Sequence, residues 1–377
     1  MKEIKFNIPV KLPSSVKNVK KFLDSGAPLH GPGKNIQEIK KQLKKKFNFD
    51  NVFLTNSCTS ALEICALAIQ LKSTDEVLVP SFTFVTTASS FARTGCVLKF
   101  YDIQKNTLMP NLLDVKKCIT KKTKAIVVVH YQGYSIESLD KLRQICKKKK
   151  IFLIEDAAQA FGSYFKNKPL GSFGDFSCFS FHETKNIHSG TGGMLVCNNK
   201  KFLNRVNFIF DKGTDRYLMN KGKIKYYTWV EIGSAFLMSE FSASYLLPQI
   251  LSYEKIFLKR SNLYLRYAKN LEVLNGKNFT MTNNYKYKYN FHAFVIVLNK
   301  NIRDEFIKYL KKYNINAIIH YTPLHKSKVG KTFSINKNKL LNTDKYVNKI
   351  VRLPLHDSLT LNEVDYISKK ILEYFAR

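Results

Sequence analysis

Acidic residues are scarce in this 377-residue chain: 28 Asp and Glu stand against 62 Lys and Arg, a formal charge of +34. Such an excess attracts phosphates, so nucleic acid is the first partner to weigh. Yet the lysines spread over the whole sequence, and their densest runs, 44–46 and 147–150, fall at the ends of predicted helices. Lysine near a helix C-terminus is stabilised by the dipole there and needs no ligand to explain it. No recognition motif accompanies the charge, and no nucleic-acid role is expected. Long hydrophobic runs are also missing. No window approaches the roughly 18 consecutive apolar residues of a membrane span, and the first 21 residues lack the apolar centre of a signal peptide. A cytoplasmic protein without a membrane partner is the expectation. The seven cysteines are odd in number and form no C-x-x-C pair. That argues against a disulfide framework and a structural metal site, and leaves buried reduced thiols. No fixed-period repeat or low-complexity segment stands out.

What is present is a large apolar fraction, 45% of a chain long enough for two domains. Ile36, Ile39, Leu43 and Phe47 share one helical face. A helix over 59–71 follows the apolar run 52–54, and strand-like runs recur at 76–79, 97–101, 125–130 and 151–155 with helical patterns between them. Runs of Val, Ile and Phe without polar alternation suit strands covered on both faces. Alternating strands and helices imply an α/β fold with a mainly parallel sheet. Past 194–197 the pattern changes: 212–233 reads as a long loop, and a helical region from about Ser239 leads into 255–274. A strand over 291–298 and a helix over 302–313 suggest a smaller α+β domain. The expected division is a large domain over 1–250 and a C-terminal domain over 251–377.

The stretch from Ile151 to Gly193 carries the chemistry. A strand ends in Glu155-Asp156-Ala-Ala-Gln159; then come Gly171-Ser-Phe-Gly-Asp175, Cys178-Phe-Ser-Phe-His-Glu-Thr-Lys185-Asn, and the pair Gly192-Gly193. Ligands of open α/β sheets collect at the carboxyl ends of the strands, which is where Asp156 falls. Pyridoxal phosphate asks for a lysine, an anion beside its ring nitrogen and a phosphate cradle. Lys185 and Asp156 can supply the first two. The run Asn56-Ser-Cys-Thr-Ser-Ala61, opening a helix, can supply the third, because free N–H groups and the dipole make a helix N-terminus an anion site. Ser180 could add a hydroxyl.

Plainer readings stand beside these. A lysine in so basic a chain is ordinarily a solvated surface group; Lys185 differs in its apolar, Ser-rich surroundings. Asp156 could cap a strand end, Gln159 and Ser180 could make structural hydrogen bonds, and Phe84 could be core packing. His130 and His182 read as structural histidines, and Asp102 and Asp175 as turn residues.

Across nearly its whole length the chain resembles the DegT/StrS-type sugar aminotransferases. The shared segments, in family order, are Pro80-Ser-Phe-Thr-Phe-Val, Val129-His-Tyr, Glu155-Asp-Ala-Ala-Gln, Cys178-Phe-Ser-Phe-His-Glu-Thr-Lys-Asn, Lys212-Gly-Thr, Tyr227-Thr-Trp, Ile232-Gly-Ser, His320-Tyr-Thr-Pro-Leu-His and Arg352-Leu-Pro-Leu. Within the family these segments are most similar to the branch that forms dTDP-4-amino-4,6-dideoxygalactose. The resemblance implies fold type I (aspartate-aminotransferase-like) architecture, a large mainly parallel α/β domain plus a smaller α+β domain, and pyridoxal 5'-phosphate as cofactor.

It also implies roles. Lys185 would be the lysine that bonds the cofactor, Asp156 the partner of its ring nitrogen, Gln159 a neighbour of its phenolic oxygen, and Phe84 a ring stacked on its face. Cys58, Thr59 and Ser180 would meet the phosphate. Gly31 and Gly33, with Lys212, Arg216 and Tyr227 in the 212–229 loop, would belong to a sugar-nucleotide cleft between two subunits of a homodimer. His320 and Tyr321 are candidates for the substrate side. The implied reaction moves an amino group from L-glutamate to the C4 ketone of a nucleotide-linked 6-deoxyhexose. Amination at C3, or a non-catalytic binding protein that kept the fold, are the alternatives. Two positions depart from the common family pattern: Thr191 stands where many members have Glu, and Leu237 where many have an Asn donated across the subunit boundary.

Overall fold

The computed structural model describes residues 2–282, 288–335 and 339–376; the outer limits of the two expected domains, 1 and 377, lie outside the described residues. Its strands are β1 (Val52–Thr55), β2 (Glu76–Pro80), β3 (Val97–Tyr101), β4 (Thr123–Val129), β5 (Phe152–Asp156), β6 (Tyr164–Phe165), β7 (Lys168–Pro169), β8 (Phe176–Ser180), β9 (Gly193–Cys197), β10 (Phe279–Met281), β11 (Phe294–Leu298) and β12 (Ile350–Leu353). Seven of them form one sheet in the order β1-β9-β8-β5-β4-β2-β3. All run parallel except β9, which is antiparallel to both its neighbours.

The unbroken apolar runs follow from burial on both faces of this sheet. Along β2, Val77 and Val79 enter one core with Phe91, Phe100 and Val127, while Leu78 enters the opposite core with Ile126, Leu153 and Phe179. The helix Lys34–Phe47 buries Ile36, Ile39, Leu43 and Phe47, the face its spacing predicts. Fold type I α/β architecture is the result.

A second, three-stranded antiparallel sheet, β10-β11-β12, is covered by the helices Arg303–Lys312 and Leu361–Phe375. The helical pattern expected from Ser239 is one 32-residue helix, Glu240–Leu271, with the Ser239 side chain accepting from the N–H of Ser242 at its start. Its first half packs Leu246, Ile250 and Tyr253 into the large core, and its second half packs Leu263, Tyr264 and Tyr267 into the small one. Pro248 lies inside this helix and cannot donate to the carbonyl of Ser244. The Asn18 side chain fills that gap, donating to Ser244 O at 2.7 Å.

The sequence pattern differs from the structure in two places. The stretch 212–233 is not one structureless loop: it contains a short helix, Arg216–Asn220, and is folded back by bridges pairing Thr214 with Trp229 and Asp211 with Ala235. Asp102 and Asp175 are long-range anchors rather than turn residues. Asp102 accepts from the N–H groups of Asn342 and Thr343, and Asp175 accepts from Arg143, Leu153 and Asn199. Short-range composition cannot distinguish a carboxylate that turns the chain from one that ties two distant segments.

Candidate active site

The carboxyl ends of β1, β4, β5 and β8 lead to one edge of the large sheet, where a cavity of about 520 Å³ opens beside the small domain. That volume suits a cofactor or small substrate. Lys185, Asp156, Gln159, Ser180, Cys58, Thr59, Phe84, His320 and Tyr321 all line it.

Lys185 is carried on a closed excursion between β8 and β9. Phe181 donates to the carbonyl of Gly192, Ser189 to that of Phe181, and Lys185 itself to that of His182. Its neighbour Asn186 is pinned to the backbone carbonyl of Asn290 and accepts from His292 Nδ1. Burial, reinforced by the nearby charge of Arg352 and opposed by Asp156, brings the Lys185 ammonium down to about 8. An amine of that acidity is neutral for a substantial fraction of the time near neutrality, so it can act as nucleophile and base.

Asp156 ends β5 with its side chain buried. One oxygen accepts from the Thr87 hydroxyl at 2.7 Å and the other from the N–H of Ala158 at 3.1 Å. Burial pushes its carboxyl up, against these donors and Lys185; a cation placed beside it would reverse that shift. The adjacent Glu155 points to the other side and holds the sheet edge together. It accepts from His130 at 2.8 Å, from the N–H groups of Gly171, Phe173 and Gly174, and from Ser177 Oγ. Burial alone would raise the Glu155 carboxyl, but His130 and these donors hold it below the usual range. His130 is thus structural, and His182 is exposed, with Nδ1 on Thr184.

The stretch expected to cradle a phosphate is the N-terminus of the helix Cys58–Ala68. Ser57 caps it, accepting from the N–H of Ser60 at 3.1 Å. The Cys58 thiol is pushed up by burial, so it stays protonated and offers its backbone N–H rather than a thiolate. Gly193 opposes this turn: a Cβ there would lie 2.3 Å from Ser57 C and 2.4 Å from Cys58 N. Only a glycine lets β9 approach the cradle so closely. Leu237 pairs with Thr55 beside it, and Thr191 lines the cavity.

Aromatic rings form the opposite wall. Tyr321 stacks on His320 with ring centroids 3.8 Å apart and receives the Gln159 amide at 2.8 Å, while Phe84 lies half exposed with its centroid 6.4 Å from Tyr321. Gln159 also accepts from the N–H of Gln132 at 2.7 Å, so its amide is fixed at both ends. His320 accepts from Arg352 Nη1 at 2.8 Å, and burial together with that guanidinium drives its pKa far down.

These groups fit pyridoxal phosphate: a partly neutral lysine, a buried carboxylate short of a cation, a capped helix end with a glycine-cleared approach, and a half-exposed aromatic ring share one cavity. Other expected residues are not brought into its lining. Gly31 (φ +86°) and Gly33 lie in the turn before the helix Lys34–Phe47, where Gly33 abuts the Glu240 side chain. Lys212 pairs with Asp211 at 2.7 Å, and Arg216 sits over the Tyr227 ring at 4.3 Å. Sequence reasoning missed Thr87, His292 and Arg352 as site residues. For Arg352 a signal existed, since it is a lone charge inside the apolar strand Ile350–Leu353; for Thr87 there was none.

Comparison with known proteins agrees with this geometry. The model of the DegT/DnrJ/EryC1/StrS aminotransferase family matches residues 12–372. An uncharacterised protein of Methanocaldococcus jannaschii is 31% identical over 317 residues, 82% of each chain. The UDP-4-amino-4-deoxy-L-arabinose–oxoglutarate aminotransferase of Shewanella sediminis is 28% identical over 90% of each. Among solved structures, Helicobacter pylori PseC, an aminotransferase involved in the biosynthesis of pseudoaminic acid, superposes with a TM-score of 0.91 at 25% identity, covering 100% of both chains.

Proposed function

Because the chain belongs to the DegT/DnrJ/EryC1/StrS aminotransferase family and uses pyridoxal phosphate, we propose that this sugar aminotransferase acts on a nucleotide-linked 4-keto-6-deoxyhexose. The acceptor in this reading is dTDP-4-dehydro-6-deoxy-D-glucose and the donor L-glutamate. The products are a dTDP-4-amino-4,6-dideoxyhexose, galacto or gluco, and 2-oxoglutarate. The observation that carries it is the meeting of Lys185 and Asp156 in one buried cavity at the carboxyl ends of the strands. The resemblance of the shared segments, taken together, to the dTDP-4-amino-4,6-dideoxygalactose branch supports the sugar. The relative whose name couples a UDP-amino sugar with oxoglutarate supports glutamate as donor.

When bound, the cofactor supplies an aldehyde that takes up the amino group and a ring that draws electrons from the donor's α-carbon. The protein's own residues do the rest. Lys185 would hold the cofactor covalently and, once displaced, carry the proton between the donor's α-carbon and the cofactor; its lowered pKa fits it for both directions of transfer. Asp156, oriented by Thr87 and Ala158, would keep a proton on the ring nitrogen. The Ser57–Thr59 turn and Ser180 would hold the phosphate, Gln159 would meet the phenolic oxygen, and Phe84 would cover the ring. Gly31, Gly33, Lys212, Arg216, Tyr227, His320 and Tyr321 would serve the substrates.

A homodimer belongs to this reading. The folded-back 211–235 segment displays Trp229 at 80% exposure and Ile232 at 67%, and Phe84 and Val85 are more than half exposed. Apolar side chains so open, on segments expected to serve the cofactor and the sugar nucleotide, are what a second copy would cover. No described helix is long and apolar enough to cross a membrane, and the reading places the reaction in the cytoplasm. The test is incubation with cofactor, L-glutamate and a panel of dTDP- and UDP-keto sugars, followed by product NMR. Nitrogen at C4 of a dTDP-linked sugar is the expected result; nitrogen at C3, or preference for a UDP sugar, overturns the assignment.

A further inference from the structure

Three described histidines line the cavity, and they differ in what their nitrogens can do. His182 is exposed, with Nδ1 on Thr184. His320 is engaged by Arg352, whose Nη1 donates to it at 2.8 Å. His292, two residues before β11, is 4% exposed. Its tautomer follows from Asn186. The Asn186 amide nitrogen donates to the carbonyl of Asn290 at 2.6 Å, so Asn186 Oδ1 is the atom 3.0 Å from His292 Nδ1. An amide oxygen can only accept, so the ring proton sits on Nδ1. Burial, with the charges of Lys185 and Arg352 nearby, keeps the ring from taking a second proton. Nε2 is therefore a bare lone pair. It makes no hydrogen bond with any described residue. Unlike His130 Nδ1 and His356 Nδ1, it is not sealed inside the protein, and the open space its ring meets is the cavity.

The backbone around this ring is fixed on both sides. Arg260, saturated by carbonyls, donates to Phe291 O, His292 O and Leu355 O at 2.7–3.1 Å. The Asn290 N–H donates to Ser163 Oγ, and the Asn290 side chain to the carbonyls of Gln159 and Phe161. Between these anchors Phe291 takes a left-handed backbone, φ +50°, which a bulky aromatic residue rarely adopts. Such a conformation persists where the surroundings over-determine it. His292 is thus set as an acceptor before any ligand arrives.

Substrate chemistry narrows what it accepts from. The carboxylates of glutamate and 2-oxoglutarate carry no proton to give. The glutamate amine is taken up by the cofactor, and Lys185 is committed to the cofactor in the resting enzyme. A keto sugar brings hydroxyl donors, and the one nearest the reacting centre is on the ring carbon next to the ketone.

We propose that His292 Nε2 accepts a hydrogen bond from the hydroxyl next to the ketone of the acceptor sugar, and so selects which sugars align for amination. The proposal rests on the keto-sugar reading of the same site. Asn186 acts through His292, as the residue that keeps the proton on Nδ1 and the lone pair toward the substrate.

The test converts the holoenzyme to its amino form with L-glutamate. The cofactor's absorbance is then followed on mixing with dTDP-4-dehydro-6-deoxy-D-glucose or its 3-deoxy counterpart, in wild type, His292→Phe and His292→Gln. Wild type should favour the hydroxylated sugar on the order of 10–100-fold in second-order rate, the cost of leaving a buried acceptor without its donor. In His292→Phe the preference should collapse to about threefold or less, because the two changes remove one interaction. His292→Gln restores an acceptor and should recover part of the preference. The ratio isolates the hydrogen bond: His292→Phe also strips Asn186 of a partner, and any disturbance of Lys185 that follows slows both sugars alike. A second readout needs no turnover. Nitrogen-15 NMR of the histidine-labelled holoenzyme should show the His292 signals, identified by their loss in His292→Phe, with Nδ1 protonated and Nε2 bare.

Equal rates with the two sugars in wild type overturn the proposal. So does a preference that survives in His292→Phe, or a proton found on Nε2 of the resting enzyme. An amino-form enzyme that turns over neither sugar overturns the proposed acceptor and this inference with it. That failure shows as no reaction, whereas failure of the hydrogen bond alone shows as reaction without preference.

Discussion

Placing one methyl group on Gly193 should loosen the cofactor more than most changes to residues that touch it. The new Cβ of Gly193→Ala would lie 2.3 Å from Ser57 C, 2.4 Å from Cys58 N and 2.5 Å from Ser57 O, where carbon contacts are comfortable at about 3.5–4.0 Å. More than 1 Å must be recovered, and all three obstacles are backbone, so no side-chain rotation relieves them. Gly193 cannot retreat freely either, since it is paired with Thr55 on one side and Ser180 on the other. Overpacking of this kind costs about 1–3 kcal/mol, and the strain falls on the N–H groups that would hold the phosphate. At about 1.4 kcal/mol per tenfold, cofactor affinity should drop on the order of 10–100-fold.

Fluorescence titration of pyridoxal phosphate onto the cofactor-free protein measures this, and a thermal melt without cofactor separates it from global destabilisation. Gly33→Ala is the comparison. Its Cβ meets the buried Glu240 side chain at 2.6 Å, which is held by the N–H groups of Asn35 and Ile36, so the strain falls on the start of the 34–47 helix and no loss of cofactor affinity is expected. Wild-type affinity in Gly193→Ala would show that the cradle is elsewhere.

Three further outcomes are expected. Capture of pyridoxal phosphate by the cofactor-free protein requires the neutral amine of Lys185; with its pKa near 8, the capture rate should rise through pH 8 and level off. A rate still climbing toward the ordinary lysine value of about 10.4 would mean that Lys185 is solvated. Glu155→Gln leaves His130 and three backbone N–H groups without their carboxylate, and should cost about 3–5 kcal/mol in denaturant unfolding. Because the Glu155 carboxyl is held below its ordinary value, its stabilisation is present above the unfolded pKa of about 4.3 and fades as pH falls through the folded one, so the gap between wild type and variant should shrink in acid. Ile232→Lys puts a charge on a side chain read as covered by a second copy; ultracentrifugation should show dissociation with loss of turnover, and a fully active monomeric wild type would refute the shared-cleft reading.

The residues themselves, taken in order, determined the local elements and the central pair of the site. Side-chain periodicity fixes which face of 34–47 is buried, and unbroken Val, Ile and Phe runs announce strands covered twice, because burial repeats over a few residues and is written in the same few residues. Asp156 and Lys185 were legible for a related reason: each sits at or just after the end of a strand, and parallel strands deliver their ends to one edge. Asp102 and Asp175 were misread, since their partners lie in segments that composition cannot link to them. Only the tertiary structure decided what closes the cavity. The small sheet, held to the large domain by one long helix, brings Arg352, His320 and Tyr321 across from more than 130 residues away in sequence from Lys185. Whether a buried guanidinium is satisfied, as Arg260 is, or left facing a cavity, as Arg352 is, depends on which carbonyls pack against it, and that packing is a property of the whole fold.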